Sequence, residues 1–515
     1  MIASARRAAP LFGLLLFFAA DGCSLIVETD PRGGGIGSAC TANDQCHAGS
    51  CDRGLCVASC SEAADCPAPS DCFAGKCQLP LKVGAAWVGV VAGGEGWTLT
   101  HQEGLQAAAQ QLPYMSFSYK ENVIPFSGDI KKAVDEFVKG GAQVIIANSF
   151  SQRDEILTLA ETYPKITFLT CASYKSNHKN AISFTAHSEQ PWYIAGKVAA
   201  AKTTKKRLGY VGSFITPEVV RHINAFYLGA RSVDPTIEVE VNWLGFWYDY
   251  KTSRTYDFSH PRLTGGVTQK FYREELLALR LIEDGADVIA HGADSQRSVR
   301  LVERLHEEGK LPHPVWTLSN DNRNGYRELT SENLPNGPPM QTCLGSPYWD
   351  WGPLYTRLLD SIHRGTFNPS VNFLEPMLAT SDSIVGFQLN PTVGVDDSSV
   401  RSYVNDVASK GWQSVFDGPY ETTGQRDKDN DGKPDASQAV EKGELMSDAE
   451  YPRVCWFAKG IVERKDPLTP IAGAADVIPA RVPDQARTTD DRWVADIEGP
   501  PGAPPKVGLN CNENL

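Results

Sequence analysis

Three tryptophans, Trp97, Trp247 and Trp349, each follow an apolar, strand-like run and stand at or near the turn into a helix-like stretch. In an open α/β sheet that is where ligands bind, in the crevice beyond the carboxyl ends of the strands. Broad indole faces delivered there suit the clamping of a flat ring, because stacking is strong and tolerant of the ring's identity. Taken singly, each could equally be a core aromatic; their shared placement makes them a candidate site. A second constellation is acidic. In DKDNDGKPD (427–435), Asp427, Asp429, Asp431 and Asp435 fall at the first, third, fifth and ninth positions of a calcium loop, with Gly432 at the sharp turn. The twelfth position is Gln438, where a bidentate Glu would complete the site. Calcium is therefore expected at most as a structural clip, and a solvated acidic turn is the alternative.

Catalytic constellations are missing. The chain has no H-E-x-x-H, no G-x-S-x-G and no Walker-type phosphate loop. Its 10 histidines are scattered, and His101 reads as a helix-face residue or minor ligand contact, not a base. The formal charge of −13 argues against binding a nucleic-acid backbone, which needs a concentrated basic surface. These features point to a binding protein with no catalytic residues and no cofactor beyond the possible calcium.

The elements that must position these side chains begin near Leu79. KVGAAWVGVVA (82–92) is a buried-strand pattern, followed by a Gly-rich turn and the helix-like HQEGLQAAAQQL (101–112). The alternation continues through AQVIIANSF, KITFLTCAS, LGYVGSF, VEVNWLGFW, ADVIAHGAD and PVWTLSN, separated by helical patterns. Short apolar runs alternating with helices imply βαβ units and parallel sheets. The residues are too many for one core, so two α/β lobes with a cleft between them, a hinged clamshell, are expected.

The flanking segments are of other kinds. Arg6 and Arg7 precede the apolar run 11–20, too short to span a bilayer, and small residues lead to Cys23. Residues 1–22 resemble a bacterial lipoprotein signal with Cys23 as the lipidated residue, and ordinary secretion is the alternative. After a linker (23–39), residues 40–78 hold two copies of one pattern: Cys40, Cys46, Cys51, Cys56, then Cys60, Cys66, Cys72, Cys77. Large aliphatics are scarce there, so disulfides must hold the segment, as a stalk or a module for contact with another protein; the pairing is left open. Zinc is disfavoured by the absence of C-x2-C pairs. The tail (467–515) is rich in Pro, Ala, Gly and Asp, and Cys511 could tie it to Cys455.

GGEGWTLTHQEG (93–104), PEVVRHINAFYLGARSVDP (217–235), WLGFWYD (243–249), GADVIAHGADS (285–295) and YWDWGP (348–353) follow one another in order. Together they resemble the basic membrane protein family of lipoproteins, the substrate-binding components of nucleoside and purine ABC importers. VFDGPY (415–420), KGELMSDAEY (442–451) and CWFAKGI (455–461) look like that family's closing hairpin and last helix. The resemblance implies a periplasmic-binding-protein clamshell of type I over residues 79–466, with 421–441 as an acidic insertion.

It also implies roles. Trp97 would stack on a base, and Trp247, with Tyr248 close behind, would close the sandwich from the other lobe. Phe150 lies in the strand end before Asp154, which would read the edge of the base through a charge-assisted bond; an N-cap is its alternative role. Ser319 stands where the family's ribose-binding acid is usual, with Asp321 two residues on, and Trp349 where some nucleoside binders have Lys. A serine grips a vicinal diol less well than a carboxylate, so a free base is expected ahead of a nucleoside. The expected partners are a purine ligand, an ABC permease and, through the lipid, the cell-envelope membrane. The rival reading is an outer-surface ligand sensor or protein-interaction receptor using the same clamshell without transport.

Overall fold

The computed structural model describes residues 34–463 except 48, 92–95, 126, 174, 214–215, 245–254, 424–425, 427, 429–434, 436–437 and 449, and counts below refer to the described residues. The chain divides after Ser59 into two compact units. In the first, Cys40–Cys51 and Cys46–Cys56 brace a hairpin of Ser50–Asp52 with Leu55–Val57. The second opens on the other cysteine copy, where Cys60–Cys72 and Cys66–Cys77 brace Asp71–Phe73 with Lys76–Gln78. The pairing is first-to-third and second-to-fourth in both copies, and the buried cysteines, Cys40, Cys56 and Cys77, stand in for a large hydrophobic core. Cys455 is disulfide-bonded as well; Cys511, its expected partner, lies outside the described residues.

From Leu81 strands and helices alternate. β1 (Leu81–Ala86), α1 (Trp97–Gln111), β2 (Met115–Lys120), α2 (Asp129–Lys139), β3 (Val144–Ala147), α3 (Arg153–Thr162), β4 (Thr167–Cys171) and β5 (Ala181–Ala186) build a first lobe. The chain crosses at 187–188 into a second lobe of α4 (Glu189–Lys202), β6 (Arg207–Gly212), α5 (Pro217–Arg231), β7 (Glu238–Trp243), α6 (Arg273–Glu283), β8 (Val288–Gly292), α7 (Arg297–Glu307) and β9 (Trp316–Leu318). It returns on β10 (Gly345–Trp349), adds α8 (Gly352–His363) and β11 (Phe373–Glu375) to the first lobe, and crosses again on β12 (Val385–Leu389). α9 (Asp397–Lys410) and β13 (Ile461–Glu463) complete the second lobe.

Both sheets are wholly parallel: six strands ordered β11-β5-β4-β3-β1-β2 and five ordered β9-β8-β6-β7-β13. Parallel sheets need helices on both faces, so their central strands read as unbroken apolar runs; all four residues of VIIA in β3 are buried. The covering helices show the complementary pattern. α7 turns Val299, Leu301, Val302 and Leu305 inward and leaves Arg304 and His306 to solvent-facing positions. β10 and β12 pair antiparallel, so two of the three crossings form one ribbon between the lobes.

The expected last helix does not form over CWFAKGI. Asn224 on α5 takes up its backbone groups, accepting from the Ala458 N–H at 2.8 Å and donating to the Trp456 carbonyl at 2.8 Å. Gly460 then adopts φ +111, and Ile461 begins an edge strand parallel to β7. Helix hydrogen bonds are displaced by side-chain and sheet bonds that satisfy the same groups.

α4 and α5 meet backbone to backbone. A Cβ on Gly196 would lie 2.0 Å from the Phe226 carbonyl oxygen, and one on Gly229 would lie 2.0 Å from that of Tyr193. Gly196→Ala is therefore expected to destabilise the second unit by about 1–3 kcal/mol despite alanine's better helix propensity. Urea unfolding checks this, and a gain in stability would show that the helices can slide apart.

Candidate functional site

The site assembles where the lobes touch. Gly96 caps α1 in the first lobe, and a Cβ there would come within 2.5 Å of the Asp294 carbonyl oxygen and 3.1 Å of Asp321 Oδ2, both in the second lobe. Only glycine allows that approach. Trp97, the next residue, is half-buried and donates its indole N–H to the Asn148 carbonyl at 2.5 Å. Asn148 is itself held, because its Oδ1 accepts the Val88 N–H at 2.8 Å.

Trp97 stands nearly perpendicular to a column of parallel rings. His101 stacks on Trp351 with centroids 4.4 Å apart, and Trp351 stacks on Trp349 at 4.7 Å. Trp97 meets Trp349 at 5.5 Å and Trp351 at 5.6 Å, both edge to face. Gly104 permits the column, since a Cβ there would lie 2.5 Å from the Trp351 Cβ. His101 is fully buried, shares a 2.5 Å hydrogen bond with the Tyr355 hydroxyl, and is held well below the usual imidazole range by burial. It is a neutral packing residue.

Facing these rings are three acids from the second lobe, each just beyond the carboxyl end of a strand. Glu218 follows β6 in the first turn of α5, Asp294 follows β8, and Asp321 follows β9 at φ +64. The Trp349 indole donates to the Asp321 carboxylate, and the Trp349 backbone N–H donates to the Asp321 carbonyl at 2.9 Å. Glu218 and Asp321 are buried, while Asp294 keeps part of its surface open. Enclosure pushes all three up. Glu218 rises to about 7, with neighbouring Glu189 adding to the effect and Arg221 opposing it. Asp294 rises to about 8, through burial and then the charge of Glu218. Asp321 is held well above the carboxylate range by burial, then by Asp294 and Glu218. Beside them the Tyr210 hydroxyl, the Ser213 hydroxyl and the Trp351 indole N–H are buried without a hydrogen-bond partner among the described residues.

The residues expected from sequence fall in several places. Trp97, Trp349 and Asp321 come together here. Ser319 does not face the cleft; its hydroxyl donates to Gln296 Oε1 at 2.6 Å inside the second lobe. Asp154 is a surface residue in the first turn of α3, with Arg153 at 3.6 Å and Lys175 at 3.8 Å. The N-cap role weighed for it falls elsewhere: Gln152 immediately precedes the helix, and Ser149 caps the short turn before it. Phe150 is half-buried beneath the Arg153 guanidinium, 4.2 Å from its ring centroid. Trp247, Tyr248, Cys23, Asp427, Asp429 and Asp431 lie outside the described residues; Asp435 accepts the Lys428 N–H at 2.8 Å. Glu218, Asp294 and Trp351 were missed, although each stands inside a sequence block already singled out. The signal available was an acid one or two turns past a strand end.

Two parallel α/β lobes joined by three crossings, with aromatic rings and acids where the lobes meet, make a two-lobed clamshell with a candidate ligand cleft. Residues 81–258 match the family described as ABC transporter substrate-binding protein PnrA-like. Among relatives, TsgA13 of Haloferax volcanii, named as an ABC transporter glucose-binding protein, is 32% identical over 55% of this chain and 62% of its own. A purine-binding protein of Brucella abortus is 29% identical over 44% of this chain and 58% of its own. The nucleoside-binding protein BmpA of Lactococcus lactis is 30% identical over 22% of this chain and 33% of its own. The chain thus spans less than two thirds of the length of each of these relatives. No described helix is long and apolar enough to cross a membrane.

The acids set a pH dependence. A carboxyl raised in the folded state contributes stability that is complete below its unfolded pKa and is lost as pH climbs from there to the folded pKa, at up to about 1.4 kcal/mol per pH unit and group. For Glu218 the loss runs up to about 7 and for Asp294 up to about 8, in both cases from the ordinary carboxylate range of about pH 4. His222 and His291, lowered to about 3 by burial, act oppositely, and their contribution is lost below about pH 6.5 as the unfolded imidazoles protonate. Below about pH 6.5 the two effects oppose each other, so ligand-free stability should be nearly level from pH 5 to 6.5 and then fall by pH 8, with a shallower fall in Asp294→Asn. Thermal melts across pH 5–8 check this, and a flat profile above 6.5 would contradict it.

Proposed function

We propose that this chain is a lipid-anchored binding protein that captures a purine nucleoside or base between its lobes and presents it to an ABC permease. The observation that carries the reading is the meeting of Trp97 and Trp349 with Asp294 and Asp321 at the line where the lobes touch. A ligand bridging both lobes favours the closed form, and a permease would recognise closure. The names of the Brucella and Lactococcus relatives support a purine or nucleoside ligand. Asp321 supplies a carboxylate for a ribose diol that Ser319 would not, so this reading puts nucleosides ahead of free bases. Cys23 would carry the lipid, and the loop 427–435 would hold calcium only as a clip.

Calorimetric titration of the chain from Ser24 onward with adenosine, guanosine, inosine and adenine tests it. Micromolar binding is expected, with adenosine tighter than adenine. Trp97→Ala should weaken it by roughly 5- to 150-fold, the loss of about 1–3 kcal/mol of stacking. Failure of all four to bind a folded sample would remove the purine from the reading and leave the clamshell.

A further inference from the structure

Among the described residues, three enclosed carboxylates converge on one cleft without a dedicated cation. The nearest is Arg221, three residues from Glu218 on α5 and fully buried. Its guanidinium is already engaged: it donates to the Tyr451 carbonyl at 2.6 Å, lies over the Tyr451 ring at 3.7 Å, and stands 3.9 Å from Glu189 Oε2. Glu189 in turn takes hydrogen bonds from Tyr451 and His187. The other described groups that interact with these acids supply no charge. His222, 3.9 Å from Glu218 Oε1, is held neutral, and Cys171 at the end of β4 and Tyr210 on β6 are pushed up by burial and by the acids themselves. The α1 N-terminus adds about half a positive charge, which does not balance three carboxylates.

A bare metal ion is a poor fit for that deficit. Among the described residues, the groups of three acids, histidines or cysteines whose ligand atoms all lie within 4.8 Å are cysteine sets, and these three carboxylates form no such group. Each lies past the end of a different strand of the second lobe. Into the same region point the unpartnered Tyr210 hydroxyl, whose oxygen would lie 2.5 Å from a Cβ on Gly292, and the unpartnered Trp351 indole N–H. The opposite wall is indole. Tryptophan faces attract cations more strongly than other rings do, and the attraction grows where water is excluded.

We propose that the cleft is built for a ring that carries a positive charge, held against the indoles of Trp97 and Trp349 with Glu218, Asp294 and Asp321 as its counter-charges. This rests on the reading of the cleft as a ligand clamp and narrows its ligand from neutral nucleosides to cationic heterocycles. A neutral nucleoside would use one carboxylate for its diol and leave two others enclosed and uncompensated. A cationic ring binds the ionised acids, so its affinity should rise with pH as they lose their protons.

The test compares matched pairs by calorimetry: adenosine with 1-methyladenosine, and nicotinamide with 1-methylnicotinamide, in which methylation leaves the ring cationic at neutral pH. The expected result is that 1-methyladenosine binds at least 10-fold tighter than adenosine at pH 7.5, that the ratio shrinks toward pH 5.5, and that Asp294→Asn and Asp321→Asn each reduce it. If adenosine binds as tightly as its methylated twin, the charge proposal falls and the nucleoside reading stands. If only 1-methylnicotinamide binds, the charge proposal stands and the nucleoside reading falls. If none of the four binds the folded wild-type chain, both fall. The wild-type comparison does not depend on the variants folding.

Discussion

The contact on which the rest of this molecule turns is that of a glycine with two acids. Gly96 brings the start of α1 against the Asp294 backbone and the Asp321 carboxylate, and no other residue would let the lobes come so near. The approach turns the positive end of a helix dipole toward negative side chains that are short of positive partners. It also carries Trp97, the residue next in sequence, to the mouth of the cleft. Closure, charge and the aromatic wall therefore depend on one hydrogen atom in place of a side chain.

The second crossing ribbon works on the same acids from the other side. Trp349 ends β10, gives both its backbone and its indole N–H to Asp321, and stacks on Trp351 at the head of α8. A residue of the hinge is thus bonded to the second lobe and packed against the first. Movement of the lobes must bend or break these bonds, so the ring column and the acid it holds report the same conformational state. His101 and Tyr355 extend the column into the first lobe's core, where burial keeps the imidazole neutral.

Much of the architecture was legible because parallel sheets write themselves as apolar runs separated by amphipathic helices. AQVIIANSF and ADVIAHGAD are such runs, and both are central strands. The cysteine repeat was legible as disulfide-bonded, but its pairing follows from hairpin geometry that spacing alone does not encode. CWFAKGI misled because the partners that hold it extended, Asn224 and β7, are more than two hundred residues away. At the site, Trp97 and Trp349 were found by their place after strands. Glu218 and Asp294 were not, since an isolated acid just past a strand end looks the same whether it faces solvent or another lobe. Ser319 and Asp321 show the limit most sharply: they are two residues apart, and the left-handed turn at Asp321 sends one side chain to the cleft and the other inward.

The two cysteine copies close their bridges internally, over 10 to 12 residues, with none shared between them. Each copy can therefore reach its final covalent form as soon as its own four cysteines have been made and oxidised, without waiting for the long α/β chain that follows. It can also be duplicated or lost in a gene without leaving an orphan thiol in its neighbour. Such a segment can lengthen or shorten in whole units over evolution while the clamshell behind it stays the same.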